Sequence, residues 1–88
     1  ADLAAQQAAV GDLDANIERQ HAVVQQSIAE VKSTQASLRY ARNDAKRYRS
    51  LRMTNAASQQ DKEKADEQQG IWEANLVQAQ AAQRSAEK

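Results

Sequence analysis

One apolar position recurs every seven residues along the first half of this chain, and that repeat limits what the chain can fold into. The position is occupied by Leu3, Val10, Ile17, Val24, Val31, Leu38 and Ala45, and it fails at Arg52. Side chains spaced by seven share one face of an α-helix, as in a coiled-coil seam. The interleaved positions mix Leu13, Ala41 and Tyr48 with Gln6, Gln20, Ser27 and Thr34. The sequence therefore predicts one long helix with a narrow, partly polar seam.

The composition argues against a globular domain. The 88 residues include no Phe, one Trp and two Tyr, so the large apolar side chains of a compact core are missing. The chain has no Pro and only two Gly, which favours uninterrupted helices. It has no Cys, which excludes disulfides and thiolate metal sites and leaves the redox compartment open. No apolar run approaches the roughly 20 residues that a membrane-spanning helix needs.

A turn and a second helix follow the repeat. Asn55 lies in the segment 54–57 and tolerates the left-handed conformation that closes many helices. Ser58 is a suitable N-cap, and Asp61 stands three residues later, where its carboxylate can bond back to the cap. The second helix carries a similar narrow seam in which Ala is more frequent, made of Ala65, Trp72, Leu76, Ala79 and Ala86, with Ile71 and Val77 at its margins.

These elements predict an all-α fold, an antiparallel two-helix coiled-coil hairpin in the shape of a rod. We expect residues 1–88 to form one hairpin domain, with helix 1 over about 2–53, the turn over about 54–57 and helix 2 over about 58–88. At 1.5 Å per residue the long helix extends roughly 75 to 80 Å.

The position of the turn predicts which residues face each other. A turn centred near Ala56 makes the numbers of facing residues sum to about 112. The expected neighbours are Leu38 and Tyr40 with Trp72, Val31 with Ala79, Arg49 with Glu63, and Lys46 with Asp66. Helix 2 is too short to reach Leu3, Val10, Leu13 and Ile17. We therefore expect this sequence to be part of a longer arm, or its uncovered seam to pair with another copy.

The charges are balanced overall but unevenly distributed, because residues 31–53 form a basic block between two acidic segments. A basic cluster from Arg39 to Arg52 could bind phosphates, as in helices that contact nucleic acid. Neutralisation across the hairpin by Glu63, Asp66 and Glu67 explains the same pattern without a ligand. We favour neutralisation and expect no nucleic-acid partner.

The remaining candidate residues give no catalytic or metal site. His21 is the only histidine, and its neighbours Glu18 and Arg19 do not complete a metal-ligand set. Tyr40, Tyr48 and Trp72 are better interpreted as seam or flank packing than as a platform for stacking bases. The chain has no phosphate-binding Gly-rich loop, and its acids are spread along rods without a pocket. We expect a protein that is not an enzyme and that binds no cofactor or metal.

The segment 47–58 at the expected hairpin tip is the most informative part of the sequence. Arg47 and Leu51 are four residues apart on one helical face, and Ser58 follows Leu51 by seven across the turn. This spacing resembles the tip motif of periplasmic adaptors of the HlyD type, also called membrane fusion proteins. In that family an acidic residue and an Ala follow, and Asp61 and Ala65 stand in those places. The long Gln- and Ala-rich first helix looks like the EmrA-like branch, although the tip has no Gly, and Arg52 and Met53 are bulkier than usual.

The resemblance implies an adaptor in the periplasm of a Gram-negative bacterium, anchored at the inner membrane. Its lipoyl and β-barrel domains would lie outside this sequence and contact an inner-membrane transporter. Several copies would form a ring and present their tips to a TolC-type outer-membrane channel, as in tripartite multidrug efflux or secretion systems. The implied channel-binding residues are Arg47, Leu51 and Ser58, with Arg52 and Asn55 as possible additional contacts.

A structural interpretation remains open for the same residues. Leu51 could simply close the seam, and capping alone explains Ser58. The corresponding alternative function is a coiled-coil stalk or dimerisation segment without tip recognition.

Overall fold

The computed structural model describes residues 2–88 as two antiparallel helices. Helix α1 spans Asp2–Met53 and helix α2 spans Gln59–Glu87, with residues 54–58 between them. The molecule is a rod of 80 × 14 × 13 Å. The predicted all-α hairpin is therefore confirmed.

The two helices meet along a seam whose residues alternate at spacings of three and four. On α1 the shielded residues of this series are Val24, Ser27, Val31, Thr34, Leu38, Ala41, Ala45 and Tyr48. On α2 they are Lys62, Ala65, Gln69, Trp72, Leu76, Ala79, Gln83 and Ala86. The two series are mirror images, because Val24 with Ala86 and Tyr48 with Lys62 both sum to 110. A residue of α1 therefore lies level with the α2 residue whose number is 110 minus its own.

This register places Val31 level with Ala79 and Leu38 level with Trp72, as expected. Thr34, Trp72 and Ala79 line one groove between the helices, which agrees with the same register. Tyr40 is a correction to the sequence prediction, because it is 73% exposed. It follows Leu38 by two residues, which at about 100° per residue turns its side chain away from the seam.

Small residues make the seam narrow, and its polar residues are satisfied within α1. Ala45 is fully buried and Leu38 is 2% exposed. Thr34 Oγ1 donates to the Glu30 carbonyl over 2.8 Å, and Ser27 Oγ donates to the Val24 carbonyl over 2.7 Å. Bonding to a carbonyl one turn back lets a hydroxyl enter a seam without a partner on the other helix. Within residues 2–88, every buried side-chain nitrogen or oxygen has a hydrogen-bond partner.

The first part of α1 extends past the end of α2. Glu87 is level with residue 23, so α2 does not cover the apolar positions before it. These positions are more than half exposed, with Leu3 at 69%, Val10 at 56%, Leu13 at 61% and Ile17 at 63%. No helix within residues 2–88 is both long and apolar enough to cross a bilayer.

Replacing Val31 by Ala should destabilise the hairpin, because Val31 is 8% exposed and contributes apolar contact at the centre of the seam. We expect the free energy of unfolding to fall by about 1 kcal/mol. Val10→Ala is the matched control, since the same atoms are removed from a side chain that is 56% exposed. Thermal unfolding followed by circular dichroism measures both. Equal effects of the two substitutions would contradict this description of the seam.

Candidate functional site at the hairpin tip

A left-handed residue ends α1 and turns the chain towards α2. Asn55 has a φ of 59°, as predicted from its tolerance of that conformation. The Ala56 N–H donates to the Leu51 carbonyl over 2.8 Å, and the Asn55 N–H donates to the Arg52 carbonyl over 3.1 Å. This pair of bonds is a Schellman motif, which satisfies carbonyls that the end of a helix would otherwise leave free. Thr54 Oγ1 adds a 3.0 Å bond to the Leu51 carbonyl.

A capping box begins α2, again as predicted. The Asp61 N–H donates to Ser58 Oγ over 3.0 Å, and the Ser58 N–H donates to Asp61 Oδ2 over 3.4 Å. The backbone of Ser58 is extended, with φ −80° and ψ 161°, which is the usual conformation of an N-cap. Three hydrogen bonds of α1 and two of α2 thus hold the turn in one shape.

The Arg47 guanidinium stands on the outside of α1, one turn before the tip. Its side chain is 63% exposed. It bonds to the carboxylate of Asp44, three residues earlier, and its Cζ lies 5.6 Å from the centre of the Tyr48 ring. An Arg donates through five N–H groups, so one carboxylate partner leaves donors available to another molecule.

Leu51 and Ser58 flank the turn in different environments. Leu51 is half-buried, and Ser58 is exposed. The Ser58 hydroxyl accepts the bond from Asp61, but within residues 2–88 it donates to no other group. Leu51 therefore contributes to closing the tip, while Ser58 keeps an unused hydroxyl proton at the surface.

Arg52 and Asn55, the two additional candidates, bind each other. Arg52 Nη1 donates to Asn55 Oδ1 over 3.1 Å, and Arg52 Nε donates to Gln59 Oε1 over 3.3 Å. The seam series of α1 reaches Arg52 after Tyr48, where an apolar residue would be expected. Its guanidinium instead joins the two sides of the turn, an intramolecular role that the sequence analysis missed.

Ion pairs between the helices differ from those predicted. Arg49 pairs with Asp66 over 3.4 Å instead of lying beside Glu63, and Arg42 pairs with Glu73 over 3.9 Å. Lys46 does not pair with Asp66, which contacts Lys62 on its own helix over 3.5 Å. The prediction for Arg49 was wrong by about one helical turn. These long side chains lie beside the seam and reach diagonally across it, so the residue numbers of each pair sum to 115 instead of 110. Each of these exposed pairs contributes only about 0 to 1 kcal/mol.

Asp44 also belongs to the tip and was missed as a partner of Arg47. Its spacing of three residues from Arg47 was the available signal, since side chains three apart on a helix are neighbours.

Residues 2–88 contain no cluster of three or more His, Cys, Asp or Glu side chains that could hold a metal ion. The tip is thus an ordered surface of donors and one partly covered apolar side chain.

Comparison with known proteins identifies the hairpin. Residues 25–88 match the family model described as "RND MFP, alpha-helical hairpin domain". Neither the curated proteins nor the solved structures gave a significant match. The matched segment begins at residue 25, one residue after Val24 starts the seam with α2.

The left-handed turn residue allows a direct test of the tip geometry. Asn55→Ala should lower the free energy of unfolding by about 1 kcal/mol, because a Cβ without a polar side chain disfavours positive φ. Asn55→Gly loses the same bond to Arg52 but adopts positive φ readily. The free energy of unfolding of the Gly variant should therefore exceed that of the Ala variant by about 1 kcal/mol. Chemical denaturation measures the difference. If both variants are equally stable, the φ of Asn55 does not limit the turn.

Proposed function

This chain belongs to the family of α-helical hairpin domains of RND membrane fusion proteins, and we propose that it docks by its tip onto a TolC-type outer-membrane channel. Members of this family are non-enzymatic adaptors of tripartite efflux systems, located in the periplasm and anchored at the inner membrane of Gram-negative bacteria. The tip would be the end of the adaptor that meets the channel. The opposite end would lead to lipoyl and β-barrel domains and an inner-membrane transporter.

The observation that carries the proposal is the contrast between a closed turn and an open Arg47. The Schellman motif and the capping box use the polar backbone groups of the turn internally. The Arg47 guanidinium is held by Asp44 and Tyr48 yet stays 63% exposed. A planar, permanently charged group held in this way can bind carbonyls or a carboxylate with little further loss of side-chain freedom.

Leu51 and Ser58 complete the proposed contact. Leu51 lies four residues after Arg47, on the same face of α1, and its uncovered part offers an apolar surface beside the charge. Ser58 offers the hydroxyl proton that its capping role does not use. Asn55 and Arg52 bind each other, and we assign them to shaping the turn first and to contacting the channel only at their outer edges.

Docking through small tips favours several copies acting together. One tip presents few side chains, so its affinity for a channel would be low. Several hairpins joined in a ring bind through multivalency, which raises the overall affinity by about 10² to 10⁴ without any new contact. We also propose that the hairpin belongs to the EmrA-like branch, because α1 is long and rich in Gln and Ala.

Substitutions at Arg47 and Leu51 should abolish docking without unfolding the hairpin. In the full-length protein we expect Arg47→Asp and Leu51→Ser each to reduce substrate export in cells severely and to remove crosslinking of the tip to the outer-membrane channel. Arg47→Asp removes the guanidinium donors and introduces a negative charge, which would repel a carboxylate of the partner. Leu51→Ser removes the apolar contact.

Two matched controls accompany this test. Arg19 is an exposed Arg of α1 that bonds to Asn16 three residues earlier, as Arg47 bonds to Asp44. Ile71 is 44% exposed and lies on the arm. Arg19→Asp and Ile71→Ser should leave export unchanged. If the tip variants also export normally at equal protein levels, the hairpin is a structural stalk without tip recognition.

Ser58 needs variants that separate capping from partner binding. Ser58→Thr keeps both the cap and the hydroxyl proton, and Ser58→Asp keeps the cap but has no proton to donate. We expect equal unfolding free energies, to within about 0.5 kcal/mol, because Thr and Asp are both N-cap residues. Crosslinking to the channel should persist in Ser58→Thr and weaken in Ser58→Asp. Unchanged crosslinking in Ser58→Asp would leave Ser58 with a capping role alone.

A further inference from the structure

The seam between the helices has two flanks, and they carry different side chains of α1. Arg42 and Arg49 each follow a seam residue by one position, so at about 100° per residue they lie on one side of the seam. This side is the ion-pair flank, because both residues form their ion pairs with α2 there. Asp44 and Leu51 each precede a seam position by one, which places them on the opposite side, the Leu51 flank.

Asp44 is the inner member of its ion pair with Arg47. Among the ion pairs within residues 2–88, the Asp44 side chain is the least exposed carboxylate, at 27%, and the Arg47 side chain is the most exposed cation, at 63%. Asp44 lines a groove between the helices together with Tyr48 and Ala65, and Ala65 is buried in the seam. The carboxylate therefore lies against the packed part of the hairpin, and the guanidinium lies outside it.

Arg47 has a single acidic neighbour along α1. Side chains three and four residues apart on a helix are neighbours, and for Arg47 these are Asn43, Asp44, Ser50 and Leu51. Asp44 is the only carboxylate among them. Asn43 lies one position further from the seam than Asp44 and is exposed on the outside of α1. The bond to Asp44 thus turns the guanidinium towards the Leu51 flank instead of the outside of the helix.

The Tyr48 ring is a second contact of the same guanidinium. The Arg47 Cζ lies 5.6 Å from the ring centre, which is within the range of a cation–π interaction. Tyr48 is half-buried in the last seam layer before the turn, level with Lys62, so the packing of the two helices holds its ring. A carboxylate and an aromatic ring therefore restrain Arg47 from two sides.

We propose that Asp44 is a positioning residue of the tip, which holds the Arg47 guanidinium on the Leu51 flank so that the charge and the apolar side chain face the channel together. This inference rests on the proposed function, in which Arg47 and Leu51 contact the channel. Asp44 acts through Arg47 and does not itself need to touch the channel.

The physical effect of this restraint is on the rotamers of Arg47. A long side chain that moves freely loses rotamer freedom when it docks, and this loss weakens binding by about two- to tenfold. The bond to Asp44 imposes the restriction already in the free hairpin, so docking does not have to impose it. Removing the Asp44 carboxylate should therefore weaken docking by about the same factor.

The mobility of Arg47 gives a direct test that does not require the channel. NMR relaxation of the Arg47 Nε–Hε group in the 88-residue chain yields an order parameter for motion on the picosecond to nanosecond timescale. We expect this order parameter to fall below about 0.6 in Asp44→Ala, the range of flexible groups. Asp44→Glu keeps a carboxylate three residues from Arg47 and should retain most of the restraint.

Asp66→Ala is the matched control for this measurement. It removes the carboxylate of a neighbouring ion pair, that of Arg49, which lies on the ion-pair flank. The order parameter of Arg47 should be the same in Asp66→Ala as in the unsubstituted chain. Circular dichroism should show unchanged helix content in all three variants, because Ala and Glu both favour helices.

The consequence for docking is measured with the full-length protein. We expect Asp44→Ala to require about two- to tenfold more adaptor for half-maximal crosslinking of the tip to the outer-membrane channel. Asp44→Glu should recover most of this loss, and Asp66→Ala should crosslink like the unsubstituted protein. Recovery by Glu distinguishes positioning of Arg47 from an effect of Asp44 on packing, since the longer side chain restores the charge and not the shape.

Each alternative result has a definite meaning. An unchanged order parameter of Arg47 in Asp44→Ala would overturn the proposal, because Asp44 would then not hold the guanidinium. A lowered order parameter with equal or stronger crosslinking would overturn it as well, because the restraint would then not assist docking. Failure of the proposed function is recognised separately, since Arg47→Asp would then crosslink as well as the unsubstituted protein.

Discussion

The narrow seam between α1 and α2 is the constraint on which the rest of the structure depends. Its most buried side chains include Ala41, Ala45 and Ala65, so the two helices bury little apolar surface per turn and must remain in contact over many turns. A seam of this kind favours a long, thin molecule, as the extents of 80 × 14 × 13 Å show. It also fixes the register, because sliding one helix would move Leu38 or Trp72 out of its layer.

The turn joins the two helices at the tip in that register. The left-handed Asn55 and the capping box at Ser58 use the backbone groups of both helix ends, so the turn needs no apolar core of its own. Arg52 continues the seam series into the turn with a charged side chain that bonds to Gln59 across it. The last turn of α1 is therefore held in place without using the guanidinium of Arg47.

Local signals allowed most of this structure to be predicted from the sequence. The repeat from Leu3 to Ala45, the tolerance of Asn55 and the spacing of Ser58 and Asp61 act through neighbouring residues, and all three gave the correct element. Tyr40 and the partner of Arg49 were predicted from an approximate pairing rule, and both predictions failed. Whether Tyr40 points into the seam depends on the rotation of α1 about its axis, and the partner of Arg49 depends on the path of its long side chain. A sum of residue numbers contains neither quantity.

The polar residues of the seam show a further limit and a physical consequence. Gln69 and Gln83 occupy seam positions that an apolar pattern does not reveal, and Thr34 enters the seam by bonding within its own helix. Such residues reduce the apolar area that each turn of the seam buries, so the hairpin depends on the length of the seam for its stability. The outer sides of the two helices carry exposed charges of opposite sign, although the chain is neutral as a whole. These charges form no ion pair within residues 2–88, and they belong to Lys32, Arg39 and Lys46 on α1 and to Glu63 and Glu67 on α2.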